Sequence, residues 1–257
     1  MSTGPAADSW AAAVHRSEQD FEPLGAAVVI DARRVLTAAH VVQQQGVRID
    51  PLWVAFPKAE QEPRRRCRVA SVQVADHARV TDLALLVLEQ DVPAGVWPAR
   101  LRCPRPADLD GRQWWAFGFP GKDPLGDVAG GRIDAGLGYG WVRLATGSAG
   151  PLARGFSGGG LWSQDYQAVV GIVGQAHTLE GGGRAITLHE ADRCLPGQKL
   201  RLLADTWSAD SAGDLALASW GWRLSADPEG DGTGSHGPAG SAWTASGATA
   251  SAAAPRR

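Results

Sequence analysis

Short apolar runs broken by Gly, Pro and Asp recur along the chain from Trp10 to about residue 195. Ala26-Ala27-Val28-Val29-Ile30 runs into Asp31-Ala32-Arg33-Arg34, which reads as a turn, and Val35-Leu36 then resumes the extended pattern. Further runs lie at 52–56, 69–74, 83–88, 114–117, 141–144 and 169–173. Most are about four to six residues long, β-branched or aromatic, and bounded by turn residues, which predicts strands. No helical pattern of about 12 residues or more interrupts them before about residue 198. Such spacing predicts an all-β barrel or sandwich rather than βαβ units.

The pattern changes at both ends. Residues 1–10 are small and polar and read as a loose start. Between 198 and 225, Leu202, Leu203, Trp207, Leu215, Leu217, Trp220, Trp222 and Leu224 follow neither the helical nor the strand period cleanly. A closing helix over 201–227, packed on the second half of the fold, is the expectation there. From Pro228 to Arg257 all but six residues are Gly, Ala, Ser, Thr or Pro. A segment of that composition cannot bury enough surface to offset its ordering entropy, so 228–257 reads as a disordered tail or linker.

Composition narrows the function. The 257 residues are 44% hydrophobic and 20% charged, enough for a real core, with a net charge of −2. That balance does not point to nucleic acid or a membrane surface as the main partner. Arg64-Arg65-Arg66 with Arg68 is the one basic run, and it reads as a solvated strand end. Cys67, Cys103 and Cys194 are too few and scattered for a disulfide framework, and no histidine pair has metal-ligand spacing. Met1–Ala13 lacks the pattern of a signal peptide, and no run of about 18 apolar residues exists. The expected setting is the reducing cytoplasm, with no metal or cofactor. Of the eleven tryptophans, Trp114, Trp115, Trp141 and Trp162 fall on predicted strands and read as core.

Three short blocks carry the chemistry. His40 follows Val35-Leu36-Thr37-Ala38-Ala39, Asp82 opens the apolar run Leu83–Leu88, and Ser157 stands in Gly155-Phe156-Ser157-Gly158-Gly159-Gly160. A serine hydroxyl needs a neighbouring base, and the base needs a group that fixes its tautomer. A buried carboxylate at Asp82 is costly unless paired, and the far nitrogen of His40 would pair it. Glycines around Ser157 let backbone N–H groups approach an oxyanion, which assigns the donors to Gly155 and Ser157. The chain order His, Asp, Ser excludes the α/β-hydrolase order and the subtilisin order.

With these blocks on the page, the chain resembles the trypsin-like (chymotrypsin-fold) serine peptidases over about residues 20–195. The segments LTAAH, DLALL and GFSGG match that family's three signature blocks. The resemblance implies a double six-stranded β-barrel over 11–200. It also implies His40 as general base and acid, Asp82 as orienting carboxylate and Ser157 as nucleophile acting on a protein or peptide substrate. Gly171–His177 resembles the strand that pairs with substrate, which makes Gly174, Gln175 and Ala176 substrate-binding. Ala116–Gly121 is similar to a turn of the bacterial high-temperature-requirement branch. Pro151 lies six residues before Ser157, where an acid would select basic side chains, so a small or apolar residue before the scissile bond is expected.

The departures carry information too. Phe156 replaces the aspartate that pairs with a newly cut N-terminus in secreted trypsins, so that activation route is absent. Val41 stands where those enzymes carry a cysteine. Gly174 stands where relatives often carry a serine that supports the aspartate. The Trp220–Gly230 segment resembles the end of peptidase modules in large actinobacterial signalling or defence proteins. That likeness implies a regulated effector with an ATPase and sensor as partner or fused module. The alternative is a peptidase-fold binding module, latent or catalytically lapsed.

Overall fold

A computed structural model of the chain describes residues 8–204, except 60, 61, 63, 64, 76–80, 148, 149, 177–181, 196 and 202. Fourteen strands are assigned among them. The first half contains β1 (Ala11–His15), β2 (Gly25–Val29), β3 (Arg34–Thr37), β4 (Gln43–Gln44), β5 (Val47–Arg48), β6 (Trp53–Ala55), β7 (Arg66–Val74) and β8 (Ala84–Leu88). The second contains β9 (Gln113–Gly118), β10 (Asp127–Gly136), β11 (Trp141–Thr146), β12 (Gly160–Ser163), β13 (Ala168–Ala176) and β14 (Gly183–Thr187).

These strands close two antiparallel barrels, in the orders β1-β2-β3-β8-β7-β6 and β10-β11-β14-β13-β12-β9, while β4 and β5 form a small ribbon outside them. Closure removes the open sheet edges that would otherwise invite further pairing. The strands of the innermost pairs are buried on both faces. All five residues of β1 and of β2 are buried, which is why the run at 26–30 reads as continuously apolar.

Three tryptophans join the two halves. Trp10, just before β1, stacks on Trp115 of β9 and Trp162 of β12 at centroid distances of 5.6 and 6.0 Å. Trp115 and Trp162 lie 5.9 Å from each other. Such pairs add to the area they bury, so the stack ties the start of the first barrel to two strands of the second.

Arg66 donates to the carbonyls of Ser17 and Asp20, and Arg68 pairs with Glu89 at 3.4 Å. A short helix, α1 (Ala39–Val42), follows β3, and α2 (Leu188–Cys194) follows β14. Residues 200, 201, 203 and 204 are helical, and Leu200 and Ala204 are buried in the cluster built largely by the first barrel. Arg34 donates to the Gln198 carbonyl at 2.9 Å and Arg102 to that of Ala204 at 3.1 Å. Guanidinium donors thus meet the backbone carbonyls at the start of the closing segment. The remainder of 201–227 and the tail 228–257 lie outside the described residues. No disulfide joins Cys67, Cys103 or Cys194. No helix among the described residues is long and apolar enough to cross a membrane.

Candidate active site

β3 ends at Thr37, and one turn later α1 carries His40 at the rim of the first barrel. Asp82 stands just before β8, the neighbour of β3, so strand pairing (Thr37 opposite Ala84) brings the two residues together. Asp82 has φ 45°, a left-handed backbone that is unusual for a residue with a side chain. Three hydrogen bonds hold it there. Its carbonyl accepts from Ala39 N–H at 3.1 Å, its Oδ1 from His40 N–H at 3.0 Å, and its Oδ2 pairs with His40 Nδ1 at 2.7 Å. An ionised carboxylate only accepts, so Nδ1 carries the hydrogen and Nε2 is left as the acceptor. The Asp82 side chain is 12% exposed and that of His40 48%, so the carboxylate is enclosed while the imidazole is open to solvent.

Ser157 comes from the second barrel, on the loop before β12. Its carbonyl accepts from Ala26 N–H at 2.8 Å, and the Ala26 carbonyl accepts from Thr37 Oγ1 at 2.8 Å. Those two bonds stitch the serine loop to the strand that leads to His40. A Cβ built on Gly25 would lie 2.7 Å from Val41 and 3.0 Å from the Ser157 carbonyl, so the chains on either side of the seam are in contact there. Ser157 is half-buried.

The loop's backbone is strongly specified. Gly155 has φ 108° and Gly158 φ 86°, and a Cβ on either would fall 2.0 Å from the Phe119 carbonyl oxygen or 2.1 Å from that of Ala26. Only glycine fits both the conformation and the space. Phe119 N–H donates to the Gly155 carbonyl at 3.0 Å, Gly158 N–H to that of Val173 at 2.7 Å, and Gly159 N–H to that of Phe156 at 2.9 Å. Among the described residues, neither the Gly155 nor the Ser157 N–H donates to a protein acceptor. Backbone N–H groups left without a protein acceptor are the kind of donor that an anion can use.

Phe156 anchors the loop. Its side chain is buried with Leu152, Leu161, Val170 and Val173, and its ring lies against Gly118, where an added Cβ would meet it at 2.5 Å. The expected departure from an N-terminal ion pair therefore has a physical counterpart, an apolar plug.

The family model described as trypsin-like peptidase domain matches residues 25–172, more than half of the sequence and all three blocks. The chain belongs to the trypsin-like peptidase family. No curated protein matches it closely enough to add to that finding. Among solved structures, neuropsin, a serine protease expressed in the limbic system of mouse brain, superposes with a TM-score of 0.56 at 19% identity. The match covers 74% of this chain and 94% of neuropsin. A Glu endopeptidase structure gives a TM-score of 0.57 at 14% identity, over 72% of this chain and 87% of that one. At those identities the likeness is one of fold, and it agrees with the two closed barrels of this trypsin-like peptidase.

Within the family frame, the residues expected to bind substrate are placed as follows. Pairing of β13 on its β12 side stops at Val173, so among the described residues Gly174, Gln175 and Ala176 run on without a partner strand on that edge, and Gln175 is exposed. Pro151 is exposed, whereas Leu152 behind it is buried against Gly183 of β14. Gly174 packs beneath the ring of Trp141, a contact that sequence spacing does not signal.

Proposed function

We propose that this protein is an active serine endopeptidase. The observation that carries the reading is the His40 Nδ1–Asp82 Oδ2 pair at 2.7 Å, which leaves Nε2 able to act as a base, together with the unpaired N–H groups of Gly155 and Ser157. Ser157 Oγ attacks the scissile carbonyl as His40 Nε2 takes its proton. The negative charge on the carbonyl oxygen is received by the N–H groups of Gly155 and Ser157. His40 then gives its proton to the leaving amine, and water, deprotonated by the same nitrogen, clears the acyl-enzyme. Asp82 holds the imidazole and balances its charge while it is protonated.

Substrate runs along the open edge at Gly174–Ala176. Burial of Leu152 beside Gly183 supports a small or apolar residue before the scissile bond. By its likeness to actinobacterial effector modules, the peptidase acts in the cytoplasm on a specific protein, under control of an ATPase or sensor partner. A peptide library digested by wild type, Ser157→Ala and His40→Ala tests the reading. Cleavage after small or apolar residues, reduced by roughly 10⁴-fold or more in each variant, is the expected result. Cleavage led by Arg or Lys, or surviving in the variants, would contradict it.

A further inference from the structure

Asp82 belongs to the first barrel, yet one side of its carboxylate faces the second. His40 supplies a donor to each of the two oxygens. Beyond Oδ2 lies Gly174, where a Cβ would stand 3.5 Å from that oxygen. The same Cβ would stand 2.4 and 2.5 Å from two carbons of the Trp141 six-membered ring, closer than real contacts allow. The ring therefore occupies the space that any side chain at 174 would need, and it does so beside the carboxylate.

The surrounding backbone is arranged to bring this about. β13 shifts register between Val173 and Gln175, so Gly174 is the residue at the irregularity. Trp141 begins β11 after a tight turn in which Tyr139 and Gly140 have φ 58° and 75°, and its carbonyl accepts from Leu137 N–H at 2.6 Å. Although it stands on a second-barrel strand, Trp141 is only half-buried and packs against the cluster that holds the first-barrel core. A core tryptophan would point into its own barrel. This one lies against Gly174, where a Cβ would stand 3.5 Å from Asp82 Oδ2.

We propose that Trp141 is a positioning residue for the Asp82–His40 pair: its ring, seated on Gly174, closes the side of the carboxylate opposite His40 and keeps water from competing for Oδ2. The proposal rests on the reading of His40 and Asp82 as a working pair. An enclosed carboxylate attracts an imidazolium more strongly than a solvated one, and it has no second partner to turn toward. Gly174 and Trp141 form a complementary pair, in which the space a polar side chain would fill is given to an apolar ring.

The test compares Trp141→Ala, Trp141→Phe, Gly174→Ser and the double variant Trp141→Ala/Gly174→Ser. Three quantities are read: thermal unfolding, ester hydrolysis, and the low-field NMR resonance of the His40 Nδ1 proton in acid. Trp141→Ala is expected to lower kcat about tenfold or more with KM changed less than about threefold, and to broaden or remove the resonance. Trp141→Phe restores most of both. Gly174→Ser is expected to fail with Trp141 present, because its Cβ overlaps the ring. With Trp141→Ala it is expected to recover kcat, because the freed space lets a serine hydroxyl donate to Oδ2. If Trp141→Ala does not fold, Trp141→Leu takes its place.

An unchanged resonance in the folded alanine or leucine variant would overturn the proposal, as would equal harm from Gly174→Ser in both backgrounds. The resonance needs no turnover. A wild type that shows it but hydrolyses nothing would contradict the peptidase reading while leaving the positioning role intact.

Discussion

Replacing Phe156 by alanine asks how a nucleophile loop is held when no ion pair anchors it. The side chain is 2% exposed and packs with Leu152, Leu161, Val170 and Val173. Its ring also lies so close to Gly118 that an added Cβ would meet it at 2.5 to 2.7 Å. Removal of a buried phenylalanine from such a site costs about 3–5 kcal/mol. With a urea dependence of about 2 kcal/mol/M, the unfolding midpoint is expected to fall on the order of 2 M. Phe156 sits between the two residues whose N–H groups are left open, so loosening it also scatters the donors, each worth about 10²-fold or more. Tryptophan fluorescence in urea reads the first effect, and the rate of fluorophosphonate labelling under folding conditions reads the second. Labelling is expected to slow at least tenfold in the folded variant. A midpoint shift under about 0.5 M would refute the plug, since a shift that small means well under 2 kcal/mol. Full destabilisation with unchanged labelling would show that the loop is held without it.

Other outcomes follow from the same geometry. His15 is buried with its Nδ1 unpartnered, and burial, followed by the charge of Arg66, lowers its pKa from 6.5 to about 4 despite the opposing Asp20. The unfolded chain thus binds the extra proton first on acidification, so stability present above about pH 6.5 is lost down to about pH 4, by about 3 kcal/mol. Stability measured from pH 8 to 4 in wild type and His15→Gln should show a flatter profile in the variant. Gly158→Ala places a Cβ 2.1 Å from the Ala26 carbonyl oxygen and 2.2 Å from Thr37 Oγ1, at φ 86°. That variant is expected to lose labelling with His40 and Asp82 intact, and a normal labelling rate would contradict the packing. Trp10→Ala removes one member of the three-ring stack and is expected to cost about 3–5 kcal/mol in urea unfolding.

The site was legible in the sequence to a degree that much of the scaffold was not. His40, Asp82 and Ser157 each lie in a short block of small or apolar neighbours, so the candidate site can be read from local sequence. The strands Ala11–His15, Asp127–Gly136 and Gly183–Thr187 have no clear run of their own in the sequence pattern, because alanine and glycine are frequent in them and weaken the β-branched signal. Glycine there has a structural cause. At Gly131 and Gly183, an added Cβ would come within 3 Å of atoms from other segments. The contact between Trp141 and Gly174 has no local signature at all, because it depends on a register shift in one strand meeting a turn before another. Phe156 was visible as a departure from the family, but its role as a plug required the neighbours that the barrel brings to it.

The central claim is that His40, Asp82 and Ser157 act as one unit on an activated serine. Intact-mass analysis after fluorophosphonate treatment, with peptide mapping of the adduct, tests it most directly. The account predicts one adduct per chain, on Ser157, absent in Ser157→Ala and slowed by several orders of magnitude in His40→Ala. A folded wild-type protein that takes up no probe, or takes it up on another residue, would contradict it.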